Sequence, residues 1–148
     1  MATKIYKNIW IGDGSDLFNL NFRKNSKIRC ILNVAWDLKD PSLGVNDQYL
    51  KVNFHDGESF PDEEIRKALD FLIENFDKNI LVCCAAGMSR SVIILSSFLY
   101  EMDICQSLDE AIEMIRKKRP WINPDFNSLR SVRKYYEDVV NGKANSTN

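Results

Sequence analysis

A cysteine and an arginine, Cys84 and Arg90, enclose five small or medium-sized residues near the middle of this chain. A thiolate is a strong nucleophile, and the planar guanidinium of arginine can donate two parallel hydrogen bonds to an oxyanion. Gly87, midway between them, permits the positive φ that a backbone needs where it folds back on itself. This combination is typical of a loop that holds a phosphate group beside a nucleophile.

The segments on either side of this loop predict how it is positioned. An apolar strand is predicted over 79–83, and an apolar helix from Ser91 to about Met102. Main-chain N–H groups at a helix N-terminus lack intrahelical partners, and the helix dipole adds about half a positive charge there. The loop should therefore attract an anion, and the same field should favour the thiolate form of Cys84.

The segment Cys84–Ser91, Cys-Ala-Ala-Gly-Met-Ser-Arg-Ser, resembles the signature of the small dual-specificity protein phosphatases among the cysteine-dependent phosphatases. The resemblance extends over roughly 5–140. It implies an α/β fold with a central, mostly parallel twisted sheet flanked by helices and a cluster of C-terminal helices. It also implies that phosphate is held by the loop residues Ala85, Ala86, Gly87, Met88, Ser89 and Arg90.

Hydrolysis of a phosphate ester needs a proton donor, because the leaving alkoxide would otherwise depart with a full negative charge. Asp56 ends a predicted strand and lies in a Gly-containing loop, where the resemblance places the general acid. Glu58 and Asp62 are alternatives, and Asp56 could instead be a solvated turn residue. The Ser91 hydroxyl can hydrogen-bond the Cys84 sulfur and help it to leave, besides capping the helix.

One position departs from the family pattern, since the residue before the nucleophile is usually a histidine and is Cys83 here. We expect lowered activity or a shifted pH optimum rather than loss of function. Cys83 or another cysteine is also a candidate partner for an oxidised Cys84. His55, the only histidine, is expected to orient the Asp56 loop or simply to pack. Pairing His55 with Cys84, as in a cysteine protease, would leave Arg90 unexplained.

The side chains of the loop indicate the class of substrate. They are uncharged except for Arg90, whereas inositide-directed relatives tend to carry lysines in the loop. Phosphorylated proteins are therefore the expected substrates and partners, through phosphotyrosine and phosphoserine/threonine. A non-protein phosphate, such as an RNA 5′ end or an inositide, and a phosphatase-like module that binds phosphoproteins without turnover remain alternatives. No metal or other cofactor is expected, because amides and a guanidinium can carry the transition-state charge.

Composition favours one intracellular domain. The chain has 148 residues with a net charge of −1, which predicts no general attraction to nucleic acid or to an anionic membrane. The first residues lack the apolar run of a secretory signal, and reduced cysteines suit the cytoplasm. We expect a phosphatase catalytic domain over 1–142 and a polar tail over 143–148.

Hydrophobic periodicity predicts the remaining elements. A short helix is the expectation for 16–25, and the last helix should open at Asn123-Pro124, end near Gly142 and match the family's Pro-Asn corner only loosely. The other expected strands are 5–11, 28–35 and 48–54, and the other expected helices are 61–76 and 108–118.

Overall fold

A computed structural model of the protein describes residues 1–141. Its strands are β1 (Thr3–Tyr6), β2 (Ile9–Gly12), β3 (Cys30–Asn33), β4 (Gln48–Lys51) and β5 (Ile80–Cys83). Its helices are α1 (Gly14–Leu17), α2 (Leu20–Asn25), α3 (Asp62–Glu74), α4 (Arg90–Glu101), α5 (Leu108–Lys118) and α6 (Phe126–Tyr135), and a π-helical segment, Tyr136–Asn141, follows α6.

The five strands form one sheet in the order β1–β2–β5–β3–β4, with β5 at its centre. β5 pairs in parallel with both β2 and β3, β3 pairs in parallel with β4, and only β1 is antiparallel to its neighbour. The expected α/β fold with a mostly parallel sheet is therefore confirmed. Because parallel strands place their carboxyl ends at one edge, the loops after β2, β3 and β5 meet there.

The prediction of a single strand over 5–11 is wrong, because this segment is a hairpin. Tyr6 pairs with Ile9 and Thr3 with Ile11, and Lys7 turns the chain with a φ of 48°. The buried isoleucines alternate in the same way in one long strand and in two paired short ones, so their spacing does not reveal the turn. No glycine or proline marks it.

The predicted strands 28–35 and 48–54 are shorter in the structure, because their last residues already belong to the loops at the sheet edge, whereas β5 ends at Cys83 as predicted. The predicted helix over 16–25 is two helices, α1 and α2, and α6 begins after Asp125, whose side chain accepts a hydrogen bond from Ser128 N. The bounds of α3, α4 and α5 lie within two residues of those expected. The predicted end of the last helix near Gly142 and the predicted tail lie outside the described residues.

Apolar side chains pack on both faces of the sheet. Along β5, Ile80 and Val82 face the larger cluster, formed with helices α3 to α6, whereas Leu81 and Cys83 face a smaller cluster beneath α1 and α2. Helix α4 is buried from its first residue to Leu99, as expected for a central helix. Its N-terminus is therefore held rigidly at the sheet edge. Across residues 1–141, no helix combines the length and apolar character that crossing a bilayer requires.

Two neighbouring serines in α4 provide a matched test of this core. Both are fully buried, but Ser97 Oγ donates to Ile93 O at 2.7 Å, whereas Ser96 Oγ has no partner within 1–141. We expect Ser97→Ala to be less stable than Ser96→Ala by about 1 kcal/mol, since only the first loses a hydrogen bond and both gain the same helix propensity. Urea unfolding of the two variants measures the difference, and equal values would contradict the assigned bonding.

Candidate active site

The predicted phosphate loop lies between the end of β5 at Cys83 and the start of α4 at Arg90. It stands at the centre of the sheet, at the edge where the parallel strands end. The N-terminus of α4 faces the loop, and that helix has twelve residues of aligned peptide dipoles behind it. The loop therefore lies where the sequence predicts it, between an apolar strand and the N-terminus of an apolar helix.

The carbonyl oxygens of this loop are held from outside it. The hydrogen bonds run from Gly14 N to Ala85 O (3.1 Å), from Arg119 Nε to Gly87 O (2.8 Å) and from Asn123 N to Met88 O (2.8 Å). The main-chain N–H groups of 85–89 donate no hydrogen bond to any residue within 1–141. With the carbonyls directed outward, these N–H groups are left to form an anion-binding concavity.

Gly87 is required at its position. Its φ is +65°, and a Cβ there would lie 2.6 Å from Arg119 Nη2 and 2.8 Å from Gly12 O. Arg119 itself is buried, burial lowers the pKa of its guanidinium, and its Nη1 donates to Met1 O and Thr3 Oγ1. Sequence analysis did not identify Arg119 as part of the site, because its contact with Gly87 spans 32 residues.

The sulfur of Cys84 lies 3.2 Å from the hydroxyl oxygen of Ser91. Both residues are buried, with Cys84 only 2% exposed. The geometry predicted for this pair is therefore present, and Ser91 is placed to donate a hydrogen bond to a thiolate.

Arg90 is 4% exposed, and one side of its guanidinium is anchored. Its Nη1 donates to Asp37 Oδ1 at 2.7 Å and to Phe54 O at 2.9 Å. Its Nη2 also lies 3.5 Å from Asp37 Oδ2, and its Nε makes no hydrogen bond within the described part of the chain, so the Nε hydrogen and the second Nη2 hydrogen are available to an oxyanion. The hydrogen bond from Arg90 is the main reason that the pKa of Asp37 lies below its usual range.

Sequence analysis missed Asp37, which lies 53 residues before Arg90. The available signal was topological: Asp37 follows β3, and β3 is the parallel neighbour of β5. An acidic residue just beyond that strand reaches the same sheet edge as the loop, but the pairing of β3 with β5 is not visible in the sequence.

Asp56 lies at the same cavity as the loop. This cavity has a volume of about 310 Å³, and it is lined by Asp37, Asp56, Cys84, Ala85, Ala86, Met88, Ser89, Arg90 and Asn123. The structure thus brings Cys84, Arg90 and Asp56 together. The two alternatives to Asp56, Glu58 and Asp62, line a different cavity beside α6.

Helix α6 holds the segment that carries Asp56. Ser128 Oγ donates to Glu58 O at 2.7 Å, and Phe60 N donates to Ser131 Oγ at 2.9 Å. At the start of the same helix, Asp125 N donates to the phosphate-loop hydroxyl Ser89 Oγ at 2.8 Å. One helix N-terminus therefore contacts both the phosphate loop and the Asp56 segment, which sets the distance between them.

His55 packs beside the site. Its ring stacks on Trp36 with the centroids 4.8 Å apart, and its Nδ1 lies 4.0 Å from Glu58 Oε2. The side chain that contacts the Cys84 sulfur is Ser91, which gives the protease-like pairing of His55 with Cys84 no geometric support. The Trp36 stack instead joins the segment after β3 to the segment that carries Asp56.

Cys83 points away from the loop. Its sulfur donates a weak hydrogen bond to Leu32 O at 3.7 Å, and burial raises the pKa of its thiol. Since Cys83 and Cys84 belong to clusters on opposite faces of the sheet, a disulfide between them would require the end of β5 to be rebuilt. Within the described residues, the Cys83 side chain therefore makes no hydrogen bond to the phosphate loop.

Comparison with known proteins identifies the family of this chain. The family model described as the dual specificity phosphatase catalytic domain matches residues 9–138, so the chain belongs to the dual-specificity phosphatase family. Human dual specificity protein phosphatase 16 is 31% identical over 145 residues, which cover 94% of this chain and 21% of that protein. The chain thus spans about a fifth of the length of this curated relative.

Solved structures show the same fold. Human DUSP28 superposes with a TM-score of 0.82 at 17% identity, covering 94% of this chain and 95% of that one. Human tyrosine phosphatase-like serine/threonine/tyrosine-interacting protein gives a TM-score of 0.81 at 18% identity, covering 94% of this chain and 97% of that one.

The Asp37–Arg90 pair predicts a pH-dependent contribution to stability. Because Arg90 lowers the pKa of Asp37, the pair stabilises the fold above the unfolded pKa of about 3.9, and this contribution is lost as the pH falls through the folded value. Asp37 is 41% exposed, so water screens the pair, and we expect Asp37→Asn to cost only about 1 kcal/mol at neutral pH. Urea unfolding over a pH series from neutral into acid should show a difference between variant and wild type that shrinks as the pH falls through the folded pKa of Asp37.

A matched control is Asp77→Asn, which alters an aspartate that is 79% exposed and whose nearest cation, Lys78, is 3.9 Å away. We expect it to change stability little at any pH of the series. A loss of stability in Asp37→Asn that persists unchanged in acid would rule out the ion pair as its cause.

Proposed function

We propose that this chain hydrolyses phosphate monoesters on phosphotyrosine and phosphoserine/threonine of proteins through a cysteinyl-phosphate intermediate. The observation that carries the proposal is the shared cavity, which brings Cys84, Arg90 and Asp56 to one concavity of unpaired main-chain N–H groups. Cys84 can act as the nucleophile, Arg90 can donate hydrogen bonds to the phosphoryl oxygens, and Asp56 can donate a proton. The reaction requires all three components.

In the first step, the Cys84 thiolate attacks phosphorus and a sulfur–phosphorus bond forms as the bond to the ester oxygen breaks. Asp56, in its protonated form, gives its proton to the leaving oxygen. The equatorial phosphoryl oxygens receive hydrogen bonds from the loop N–H groups and from Arg90, through its Nε hydrogen and the Nη2 hydrogen that does not face Asp37. Asp37 and Phe54 O hold that guanidinium in place from its other side.

In the second step, water attacks phosphorus, Asp56 as a carboxylate accepts a proton from that water, and the sulfur–phosphorus bond breaks. The departing Cys84 sulfur carries negative charge, which the Ser91 hydroxyl at 3.2 Å can stabilise with a hydrogen bond. Inorganic phosphate is released, and Asp56 is again protonated for the next turnover.

The two aspartates at the cavity suit different roles. Asp37 is held as a carboxylate by Arg90, which makes it a poor proton donor at neutral pH. The Asp56 side chain makes no hydrogen bond or ion pair with another residue in 1–141, and it lines the same cavity as Cys84. This contrast supports Asp56 rather than Asp37 as the general acid.

The walls of the cavity support a phosphoprotein substrate. Apart from Arg90, the loop side chains that line it are small or uncharged, namely those of Ala85, Ala86, Met88 and Ser89. They offer no additional cation for the several phosphates of an inositide or of an RNA 5′ end. The proposal includes a reducing, intracellular setting, since Cys84 and the other three cysteines are free thiols.

Replacement of the nucleophile tests the covalent mechanism. We expect Cys84→Ser to abolish hydrolysis of para-nitrophenyl phosphate while a phosphotyrosine peptide still binds, because the amide concavity and Arg90 are unchanged. Turnover assays and calorimetric titration with the peptide measure the two properties. Cys105→Ser is the matched control, since Cys105 is equally buried but lies beside Met114, and it should keep full activity. Turnover by Cys84→Ser at the wild-type rate would remove Cys84 from the mechanism.

Replacement of the acid tests the role of Asp56. Asp56→Asn should lower kcat roughly 10²-fold on a phosphoserine peptide, the scale of a general-acid contribution, and less on para-nitrophenyl phosphate, whose leaving group needs little protonation. Glu58→Gln and Asp62→Asn should retain activity on both substrates. An equal loss on both substrates for Asp56→Asn would indicate a role other than proton donation.

The same assays separate an enzyme from a binding module. Binding of the phosphotyrosine peptide by the wild-type chain without any hydrolysis would support the module, whereas vanadate-sensitive turnover supports the phosphatase.

A further inference from the structure

A second concave surface lies at the opposite edge of the sheet from the candidate active site. This groove has a volume of about 430 Å³ and runs between α2 and the loop that precedes β4. Its lining includes Arg29, just before β3, and Asp47, just before β4. Cys84 and Asp37 follow the carboxyl ends of strands in the same sheet, so the length of the strands separates the two surfaces, roughly 13 Å for four residues.

Arg23 lies at the base of this groove and is 5% exposed. Its Nη2 donates to Ser42 O at 2.7 Å, but its buried Nε–H has no acceptor in the part of the chain that the structure describes. No carboxylate within 1–141 approaches its guanidinium to within 4.0 Å. Buried charges in proteins are ordinarily paired with an opposite charge, and the Arg23 guanidinium has no such partner among residues 1–141.

Two further cations, Lys24 and Arg29, stand at the rim of the groove and are exposed. The carboxylate in the lining, Asp47, already accepts a hydrogen bond from Gly44 N at 2.7 Å. Three cations against one engaged carboxylate make the groove electropositive, although the whole chain has a net charge of −1.

From the buried Arg23, which has no carboxylate partner within 1–141, and these flanking cations, we infer that the groove is a binding site for a phosphate-type oxyanion, either free phosphate or a phosphorylated protein side chain. Arg23 is the deep donor, and Lys24 and Arg29 hold the oxyanion at the rim. A guanidinium is suited to this task because its planar fork matches the oxygens of a phosphate group. The site is separate from the Cys84 loop and does not depend on catalysis.

Residue-resolved NMR of the Cys84→Ser protein tests this site, because the two anion sites report through different amides. Titration with inorganic phosphate, and separately with a phosphoserine peptide, should shift the groove amides over 44–47 in addition to those of the Cys84 loop. Arg23→Met, added to Cys84→Ser, should weaken binding in the groove roughly tenfold or more, the scale of a lost charged hydrogen bond, and leave the loop response unchanged. Lys117→Gln, which removes an exposed cation of α5, should alter neither response.

The two ligands distinguish the sources of the oxyanion. Saturation of the groove by phosphate alone at the lower concentration identifies the free ion, and tighter binding of the peptide identifies a phosphorylated side chain. If Arg23→Met does not fold, the exposed pair Lys24→Gln and Arg29→Gln serves instead, with the same expected weakening. Groove amides that do not respond to either ligand, or that respond equally in the variants, would overturn the inference, whatever the loop amides show.

Discussion

The structure depends on keeping the carbonyl oxygens of one short loop away from its centre. Gly14 at the start of α1, and Arg119 and Asn123 in the connection between α5 and α6, each donate a hydrogen bond to a carbonyl of the loop between β5 and α4. The N–H groups of that loop are consequently free to converge on an anion. Gly87 permits this arrangement, because the space beside its Cα is already occupied by Arg119 and by the β2 end.

The charged groups of the site are positioned in two different ways. Arg90 is held by Asp37 and a main-chain carbonyl on one side, which orients its remaining donors towards the cavity. Asp56 is carried on a segment that α6 attaches to the phosphate loop, through Ser128 at one point and Ser89 at another. The Asp56 segment is thus positioned by hydrogen bonds to a helix, whereas Arg90 is positioned by an ion pair.

Sequence patterns predicted the regular part of this molecule well and its connections less well. The periodicity of α3, α4 and α5 located those helices within two residues, since buried positions along a helix recur at a spacing that few other structures share. The hairpin of β1 and β2 was missed because alternation does not reveal where a strand folds back. Strands β3 and β4 were predicted too long, because the apolar residues that follow them are buried in loops.

The chemistry of the loop was determined by local sequence. Cys84, Gly87, Arg90 and Ser91 lie within one turn and one helix start, so their relative positions follow from a few backbone dihedral angles. The tertiary structure decided which distant groups complete the site. The contact of Asp37 with Arg90 depends on the pairing of two parallel strands, and the contact of α6 with the Asp56 segment depends on how that helix packs. Such contacts are selected by the packing of the whole core, which no short stretch of sequence specifies.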